Sequence, residues 1–381
     1  MRVAVFEDEP SKWEHIKRVL ISKGVREGNI RNIDTTARYL EFSHIEFDLY
    51  IIDVQMPAVI GGSTRDAGLE ILQMLDYSGR VKVPVLAITS YLSDISSKIR
   101  QYQARGCIVF DYGDEESWSQ ALNIYIAQAQ ERGRYDFLIF VAIAKERVAY
   151  LNIVTSDCKQ VIRDGLNILE FEHGGKQGGV ILCPRMGLVN ATAIVSKALG
   201  IYSPTMVAMS GICAGIGSSS AIGQLLVTDI VWEYQSGKWL DEAFEAEPYQ
   251  VSIDESIRPK VVEALAEPRL LNRLEAYYKG DVRPSSKVAP KLAAFTTGSA
   301  VIASKKRLKH VKAQHRKVEG LDMEVYGFHR AVQLSGSSAA VISAKTVVDV
   351  ADSRKGDEYH EYGCFISAAF VLEFIGQYYN G

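Results

Sequence analysis

Acidic and hydroxyl side chains follow three apolar runs in the first third of the sequence. Glu7 and Asp8 come after RVAVF, Asp53 comes after FDLYII, and Thr89 ends VPVLAIT. Because ligands bind at the carboxyl ends of the strands in a parallel sheet, we expect these side chains to lie close together. Three converging carboxylates would form a small, oxygen-rich site for Mg²⁺.

Small residues mark two turns further along the chain. They stand in AMSGICAGIG, residues 208 to 217, and in TTGSAVI, residues 296 to 302. Turns built from glycine and small residues let backbone amides approach a ligand closely. The sequence therefore indicates a second ligand site, formed by these turns.

The elements that must position these residues alternate between strand and helix patterns. Up to about Arg132 each apolar run precedes a helical pattern, as in RVAVF followed by SKWEHIKRVLISKG. This alternation predicts a doubly wound α/β domain over residues 1–132. After the polar joint ERGRYD, valine-rich and isoleucine-rich runs such as FLIFVAIA and GGVILCP predict a second α/β domain over residues 133–381.

Composition narrows the classes of function. The chain has 381 residues, 47% of them hydrophobic, and a net charge of −3, which gives no bulk attraction to nucleic acid or an anionic membrane. The acidic start MRVAVFEDEP lacks the pattern of a signal peptide, so the expected location is the cytoplasm. Five cysteines without a CxxC spacing predict neither disulfides nor zinc.

The first domain resembles the receiver domains of response regulators, which have a flavodoxin-like fold. Glu7 and Asp8 match the acidic pair that binds the metal in that family, and Asp53, followed by an MP dipeptide, matches the phosphoacceptor. Thr89 matches the hydroxyl that switches toward the phosphoryl group. The resemblance implies Mg²⁺ as a cofactor of this domain and a histidine kinase or phosphorelay protein as its partner.

Two segments depart from the receiver pattern. Receivers carry a lysine after the strand that follows the switching hydroxyl. Here the segment after Thr89 reads ARGCIVFDYGDEESW and contains no lysine, and Asp111 and Asp114 stand nearby. An aspartyl phosphate without its cationic partner is expected to form more slowly, to be shorter-lived, or to be absent. The long segment PAVIGGSTRDAG after Asp53 predicts a mobile lid or a contact surface.

The second domain resembles the nucleoside phosphorylase/nucleosidase superfamily, which has an α/β/α fold. VEGLDMEVYG matches the ribose-binding segment with Met323 and Glu324, and VVDVADSRKGDEY matches the catalytic loop with Asp349. Val301 in TTGSAVI is also expected at the substrate. SGICAG matches the glycine-rich loop of the purine site, and its expected substrate-binding residues are Ser210, Gly211, Ile212, Cys213 and Ala214.

The resemblance implies cleavage of an N-ribosyl bond without a cofactor. Asp349 would protonate or hydrogen-bond the departing purine, and it must be partly desolvated to hold a proton near neutral pH. Glu324 would bind the ribose hydroxyls and stabilise the cationic sugar, while Met323 packs against the sugar.

Two neighbouring residues are candidates for the group that faces the ribose on the side opposite the purine. AMSGICAG lacks the arginine that phosphorylases of this superfamily use, which favours water as the attacking group. Glu146 in AIAKERVAY would activate that water. A shift of one residue would instead place Arg147 there, where it would suit phosphate or a phosphorylated sugar.

Arg185 in CPRMGLVNA follows the second strand, where its guanidinium could hold a substrate phosphate. A receiver fused to this type of enzyme resembles the effectors of Detocs anti-phage systems, which implies hydrolysis of ATP to adenine and ribose triphosphate. The alternatives are a methylthioadenosine/adenosylhomocysteine nucleosidase, a purine nucleoside phosphorylase, or a catalytically silent nucleoside sensor. The superfamily also implies a homo-oligomer.

Overall fold

The computed structural model describes residues 1–43, 45, 47–78, 80, 83–216, 220–241, 243–247, 249–300, 302, 304–350 and 356–380. The chain divides into two compact units, Met1–Arg134 (unit 1) and Tyr135–Gly381 (unit 2). The sequence-based boundary lies two residues earlier.

Unit 1 is built around a parallel sheet. Its strands are β1 (Val3–Phe6), β2 (Ile30–Ile33), β3 (Leu49–Ile52), β4 (Gln55–Pro57), β5 (Thr64–Asp66), β6 (Val85–Thr89) and β7 (Ile108–Asp111). Its α-helices are α1 (Pro10–Ser22), α2 (Tyr39–Phe42), α3 (Gly68–Tyr77), α4 (Ile99–Gln103) and α5 (Glu115–Arg132). Within the described residues the sheet has the order β2-β1-β3-β6-β7, which is the flavodoxin-like order.

Helices cover both faces of this sheet. Residues of α1 and α5 pack with Val3 and Val5 on one face, and residues of α3 and α4 pack with Ala4 and Phe6 on the other. Successive strand residues point to opposite faces, so a strand that is buried on both faces needs a continuous apolar run. The segment after Asp53, predicted to be a lid or contact surface, contains the antiparallel hairpin β4–β5.

Unit 2 has a mixed sheet. Its strands are β8 (Phe137–Val141), β9 (Lys159–Arg163), β10 (Leu166–His173), β11 (Lys176–Leu182), β12 (Met206–Gly215), β13 (Leu225–Glu233), β14 (Gly237–Leu240), β15 (Ala243–Ala246), β16 (Gln250–Ser252), β17 (Lys291–Thr297), β18 (Val318–Asp322) and β19 (Ala340–Asp349). Its helices are α6 (Ala144–Ile153), α7 (Leu188–Ile201), α8 (Arg258–Ala266), α9 (Leu270–Glu275), α10 (Lys305–Gln314), α11 (Val325–Ser335) and α12 (His360–Asn380).

The sheet of unit 2 also lies between helices. Its strand order is β16-β13-β17-β18-β12-β8-β11-β10-β9, and β19 pairs with both β12 and β13. One core cluster joins the sheet to α6, α8, α9 and α12, and another joins it to α7 and α11. The predicted α/β class is confirmed.

The state of the cysteines and the membrane-spanning potential of the helices can also be read from the structure. All five cysteines are free thiols. Among the described residues, no helix has the length and apolar character required to cross a bilayer.

Candidate active site

Glu146 lies in the first turn of α6, where backbone donors hold its carboxylate. Its Oε2 accepts hydrogen bonds from the N–H groups of Ala142 (2.7 Å) and Ile143 (3.2 Å). Its Oε1 accepts one from the N–H of Ile212 in β12 (3.1 Å). Gly211 has φ +147°, and a methyl group there would collide with this carboxylate. Glycine at position 211 therefore lets the backbone of β12 pack directly on Glu146.

Arg147, the other candidate at the start of α6, points elsewhere. Its Nη1 donates to Asn167 Oδ1 of β10 at 2.7 Å. It is not among the described residues that line the cavity next to Glu146. Successive helix residues lie about 100° apart around the axis, and here Arg147 points toward β10 while Glu146 points toward the cavity. The fold selects Glu146 of the two.

Glu324 is buried between β18 and α11, beside a buried lysine that the sequence analysis did not single out. Its Oε1 accepts a hydrogen bond from the N–H of Gly187 (2.8 Å). Lys345 of β19 is fully buried, and its Nζ lies 3.6 Å from Glu324 Oε2 and 3.5 Å from Asp322 Oδ2. Burial raises the pKa of Glu324 to about 7, while the Lys345 ammonium opposes this rise.

The charges around Lys345 decide its own ionisation. Burial alone would lower the pKa of the ammonium, but Glu146, Asp322 and Glu324 together raise it above its ordinary value. These acids therefore favour the charged form of Lys345, which lies beside Glu324 and Asp322. A single lysine inside the strand-like run SAAVISAKTVVDV was the available signal for it.

Asp349 is the last residue of β19 and pairs with Ala214 of β12 after a register shift. It is buried, and Val348 beside it is apolar and buried. Asp349 and Glu324 line one cavity. The residues 351 to 355 of the predicted catalytic loop lie outside the described part of the chain.

This cavity, of about 210 Å³, gathers side chains from α6, β12, β18, β19 and α12. Seven of the predicted site residues line it: Glu146, Ile212, Cys213, Ala214, Met323, Glu324 and Asp349. It is also lined by residues that the sequence analysis did not assign, among them Met186, Ala300, Ile302, Asp322 and His360. The sequence-based site is thus largely brought together in space, with additions from residues in or beside the same segments.

The remaining predicted site residues lie around or outside the cavity. Ser210 is buried, and its hydroxyl is 2.6 Å from the Tyr150 hydroxyl. Arg185 is exposed, on the loop that also carries the lining residue Met186. Val301 lies outside the described residues. Ser210 therefore links β12 to α6, and Arg185 is an exposed residue next to the lining residue Met186.

A wider cavity of about 770 Å³ lies next to the first, and His360 lines both. It contains two lysines, Lys145 and Lys279. It also contains three acidic residues: Asp357, Glu358 and Glu361. This cavity can accommodate a charged extension of a ligand that is bound in the smaller one.

The acidic cluster of unit 1 forms as predicted, but with an additional cation. Carboxylate oxygens of Glu7, Asp8 and Asp53 lie within 4.8 Å of one another. Lys12 of α1 is buried among them, with its Nζ 2.6 Å from Asp53 Oδ2 and 2.8 Å from Glu7 Oε2. Thr89 is buried at the end of β6, and its Oγ1 accepts from the N–H of Tyr91 (3.1 Å).

Lys12 changes two expectations for this cluster. The prediction that Asp53 lacks a cationic partner was wrong, because the ammonium comes from α1 instead of the segment after β7. The carboxylate donors suit Mg²⁺ by type, but the Lys12 ammonium fills the space between Glu7 and Asp53. A Mg²⁺ ion does not fit between these two carboxylates together with the ammonium.

Comparisons with known proteins support a nucleosidase domain. No family model matches the chain. An uncharacterized protein of Sinorhizobium fredii, y4jS, is 27% identical over the full length of both chains. The ATP nucleosidase Cap17 of Escherichia coli is 26% identical over 62% of this chain and 50% of its own length, so the match spans half of that relative.

Solved structures share the fold. A 5′-methylthioadenosine/S-adenosylhomocysteine nucleosidase of Helicobacter pylori has a TM-score of 0.52 and 17% identity, and it covers 64% of this chain and 99% of its own. The futalosine hydrolase of the same organism has a TM-score of 0.52 and 16% identity over 63% of this chain and 97% of its own. These proteins and Cap17 are N-glycosyl hydrolases, which confirms the predicted enzyme class.

Proposed function

We propose that this chain hydrolyses the N-glycosidic bond of ATP, giving adenine and ribose triphosphate, under the control of unit 1. The observation that carries the proposal is the convergence of Glu146, Glu324 and Asp349, from three separate elements, on one cavity. The similarity to an ATP nucleosidase supports an adenine nucleotide as the substrate class.

The proposed reaction assigns one task to each carboxyl group. Water attacks C1′ of the ribose and transfers a proton to Glu146. The bond between C1′ and N9 breaks, its electron pair moves to the purine, and Asp349 donates a proton to the purine nitrogen N7. Glu324 binds the ribose hydroxyls and stabilises the positive charge on the sugar, with Met323 packed against it. Lys345 favours the ionised form of Glu324.

The cavity lining supports water over phosphate as the attacking group. Among its described lining residues there is no arginine or lysine to bind a phosphate ion. Glu146 would repel such an ion, whereas a carboxylate can orient and deprotonate water. The proposed reaction is therefore hydrolysis and needs no cofactor.

The wider cavity supports a nucleotide over a nucleoside. Lys145 and Lys279 line the wider cavity, which shares His360 with the smaller one, and can bind phosphate oxygens there. The three acidic residues there would repel bare triphosphate, so the magnesium complex of ATP is the form of substrate that fits the mixed charges. Arg185 is an additional phosphate contact in this proposal.

Replacing both lysines by alanine is expected to raise KM for ATP by about 10²- to 10⁴-fold, because each of the two charge-assisted hydrogen bonds contributes about 1.5–3 kcal/mol. Cleavage of adenosine should change little, since it carries no phosphate. The measurement is steady-state release of adenine by Lys145→Ala/Lys279→Ala. A matched control is Lys159→Ala/Lys238→Ala, which removes two exposed lysines from β9 and β14. An unchanged KM for ATP, or an equal loss with adenosine, would contradict the phosphate subsite.

Unit 1 is the proposed control element, a receiver domain with Asp53 as phosphoacceptor and Thr89 as the switching hydroxyl. Its flavodoxin-like strand order and the cluster of Glu7, Asp8 and Asp53 support this role. A histidine kinase or phosphorelay protein is the proposed donor. Asp53→Asn is then expected to abolish any change in nucleosidase activity that the donor produces, while the unstimulated activity persists. Adenine release with and without a phosphorylated donor measures this.

A panel of substrates tests the enzymatic proposal. The purified chain is incubated with ATP, AMP, adenosine and methylthioadenosine, with and without phosphate, and free base is followed by chromatography. Adenine from ATP without phosphate is the expected result. Base from methylthioadenosine alone identifies a methylthioadenosine/adenosylhomocysteine nucleosidase, base only with phosphate identifies a phosphorylase, and no base from any substrate identifies a sensor.

The cellular setting follows from the same proposal. Destruction of ATP is tolerable to a cell only when it is tightly controlled, which gives a reason for a regulatory domain. We infer a cytoplasmic homo-oligomer that acts in anti-phage defence. The partners in this proposal are the nucleotide and the phosphodonor, without nucleic acid or membrane.

A further inference from the structure

The acidic cluster of unit 1 already holds a cation that belongs to the chain. The side chains of Glu7, Asp53 and Lys12 are almost entirely buried. Buried charges are stable only when they are paired, and the Lys12 ammonium lies 2.8 Å from Glu7 and 2.6 Å from Asp53. These three residues form a compact ion cluster in which the one ammonium contacts both buried carboxylates.

The remaining oxygens of the two carboxylates accept hydrogen bonds from the backbone. Asp53 Oδ1 accepts from the N–H of Val54 (2.6 Å), and Glu7 Oε1 accepts from the N–H of Glu9 (3.0 Å). Each carboxylate therefore uses one oxygen for the lysine and the other for the main chain. Such donors fix both groups in orientations that face the ammonium.

Two neighbouring elements hold Lys12 in this position. Pro10 begins α1 directly after the acidic segment, so Lys12 lies in the first turn and reaches back toward Glu7. On another side, the ring of Tyr112 lies over the ammonium, 5.4 Å from Nζ to the ring centroid. Tyr112 belongs to the segment after β7 that lacks the receiver lysine. That segment thus covers a cation that another element provides.

A divalent ion and the ammonium compete for the same space. Mg²⁺ binds carboxylate oxygens at about 2.0–2.1 Å with near-octahedral geometry. An ion that bridged Glu7 and Asp53 would lie where Lys12 Nζ lies, and the two positive charges would repel each other strongly in a buried pocket.

We propose that Lys12 replaces the divalent cation in unit 1, so that the cluster of Glu7, Asp8 and Asp53 binds no metal while Lys12 is present. The cation that balances a phosphoryl group on Asp53 would then be the Lys12 ammonium. This inference concerns unit 1 and stands independently of the reaction proposed for unit 2.

The test is Mn²⁺ binding to the full-length chain, followed by the electron paramagnetic resonance signal of the free ion. The wild-type chain is expected to show no ion whose binding Asp53→Asn removes. Lys12→Met, which keeps the length of the side chain without its charge, is expected to bind about one ion per chain at least about tenfold more tightly. Adding Asp53→Asn to that variant should remove this ion.

A matched control is Lys17→Met, on the same helix, whose ammonium pairs with the exposed Glu14 and Glu27. It should bind Mn²⁺ like the wild type. The proposal is overturned if the wild-type chain binds an ion that Asp53→Asn abolishes, a comparison that needs no lysine variant. It is also overturned if Lys12→Met, shown to be folded by its thermal unfolding transition, gains no such ion.

Discussion

Asp349→Asn is expected to lower kcat for adenine release by about 10²- to 10⁴-fold, the usual contribution of a positioned general acid. Asparagine keeps the shape and can still donate a hydrogen bond, but it cannot transfer a proton to the purine. Asp349 lies in the cavity beside the buried Val348. Rates are measured at saturating ATP.

The control for this variant is Asp281→Asn, an exposed carboxylate of the same unit outside the cavity lining. It should retain the wild-type rate. Binding of adenine should be similar in wild type and Asp349→Asn, since the pocket keeps its shape. If Asp349→Asn kept the wild-type kcat, Asp349 would not be the general acid, and the proposed reaction would be contradicted.

Lys345→Met is expected to reduce the free energy of unfolding by about 3–5 kcal/mol, as when one partner of a buried ion pair is removed. Methionine has a similar length and keeps an apolar stem, so the loss of stability reports the removal of the charge. Glu324 and Asp322 would be left as buried acids without their cation. Adenine release should fall with it, because Glu324 would then favour its protonated form.

The loss of unfolding free energy in Lys345→Met should be larger at high pH than at low pH. The folded-state pKa of Glu324, about 7, lies above its ordinary value, so its contribution to stability is present at low pH and is lost as pH rises through about 7. Removing Lys345 raises that pKa further. Urea unfolding should therefore show a larger deficit relative to wild type at pH 8 than at pH 5.

Lys291→Met provides the comparison for this prediction. Lys291 pairs with Glu319 at 2.6 Å but is partly exposed, so its replacement should cost less than about 1 kcal/mol. A deficit of Lys345→Met as small as this would contradict the buried ion pair, and a deficit equal at both pH values would contradict the coupling of Lys345 to Glu324.

Some of the site could be predicted because local pattern places residues at the ends of strands. Asp53 follows the apolar residues LYII of β3, and Asp349 follows two valines at the end of β19; the carboxyl ends of such strands carry ligand sites. Glu324 was assigned through the resemblance of VEGLDMEVYG to the ribose-binding segment of the superfamily, and its burial is a finding of the structure. The small residues of SGICAG predicted a close approach, and Gly211 packs directly on Glu146.

Other residues could not be assigned from pattern. Glu146 and Arg147 are adjacent, and only the direction in which α6 begins decides which side chain enters the cavity. Lys12 stands in a helical pattern that is equally compatible with an exposed lysine. Met186 and His360 stand next to predicted segments in the sequence, but only the fold shows that they line the cavity.

The sequence by itself determined the alternation of strands and helices, the α/β class and the strand-end positions of the acidic residues, because periodicity and strand ends are local properties of the chain. Only the tertiary structure decided which charges are paired. Lys12 and Lys345 lie in segments far from several of their partners, and their burial beside those acids depends on how helices and strands pack. Pairing energies depend on distance and burial in three dimensions, which residue types and spacing do not contain.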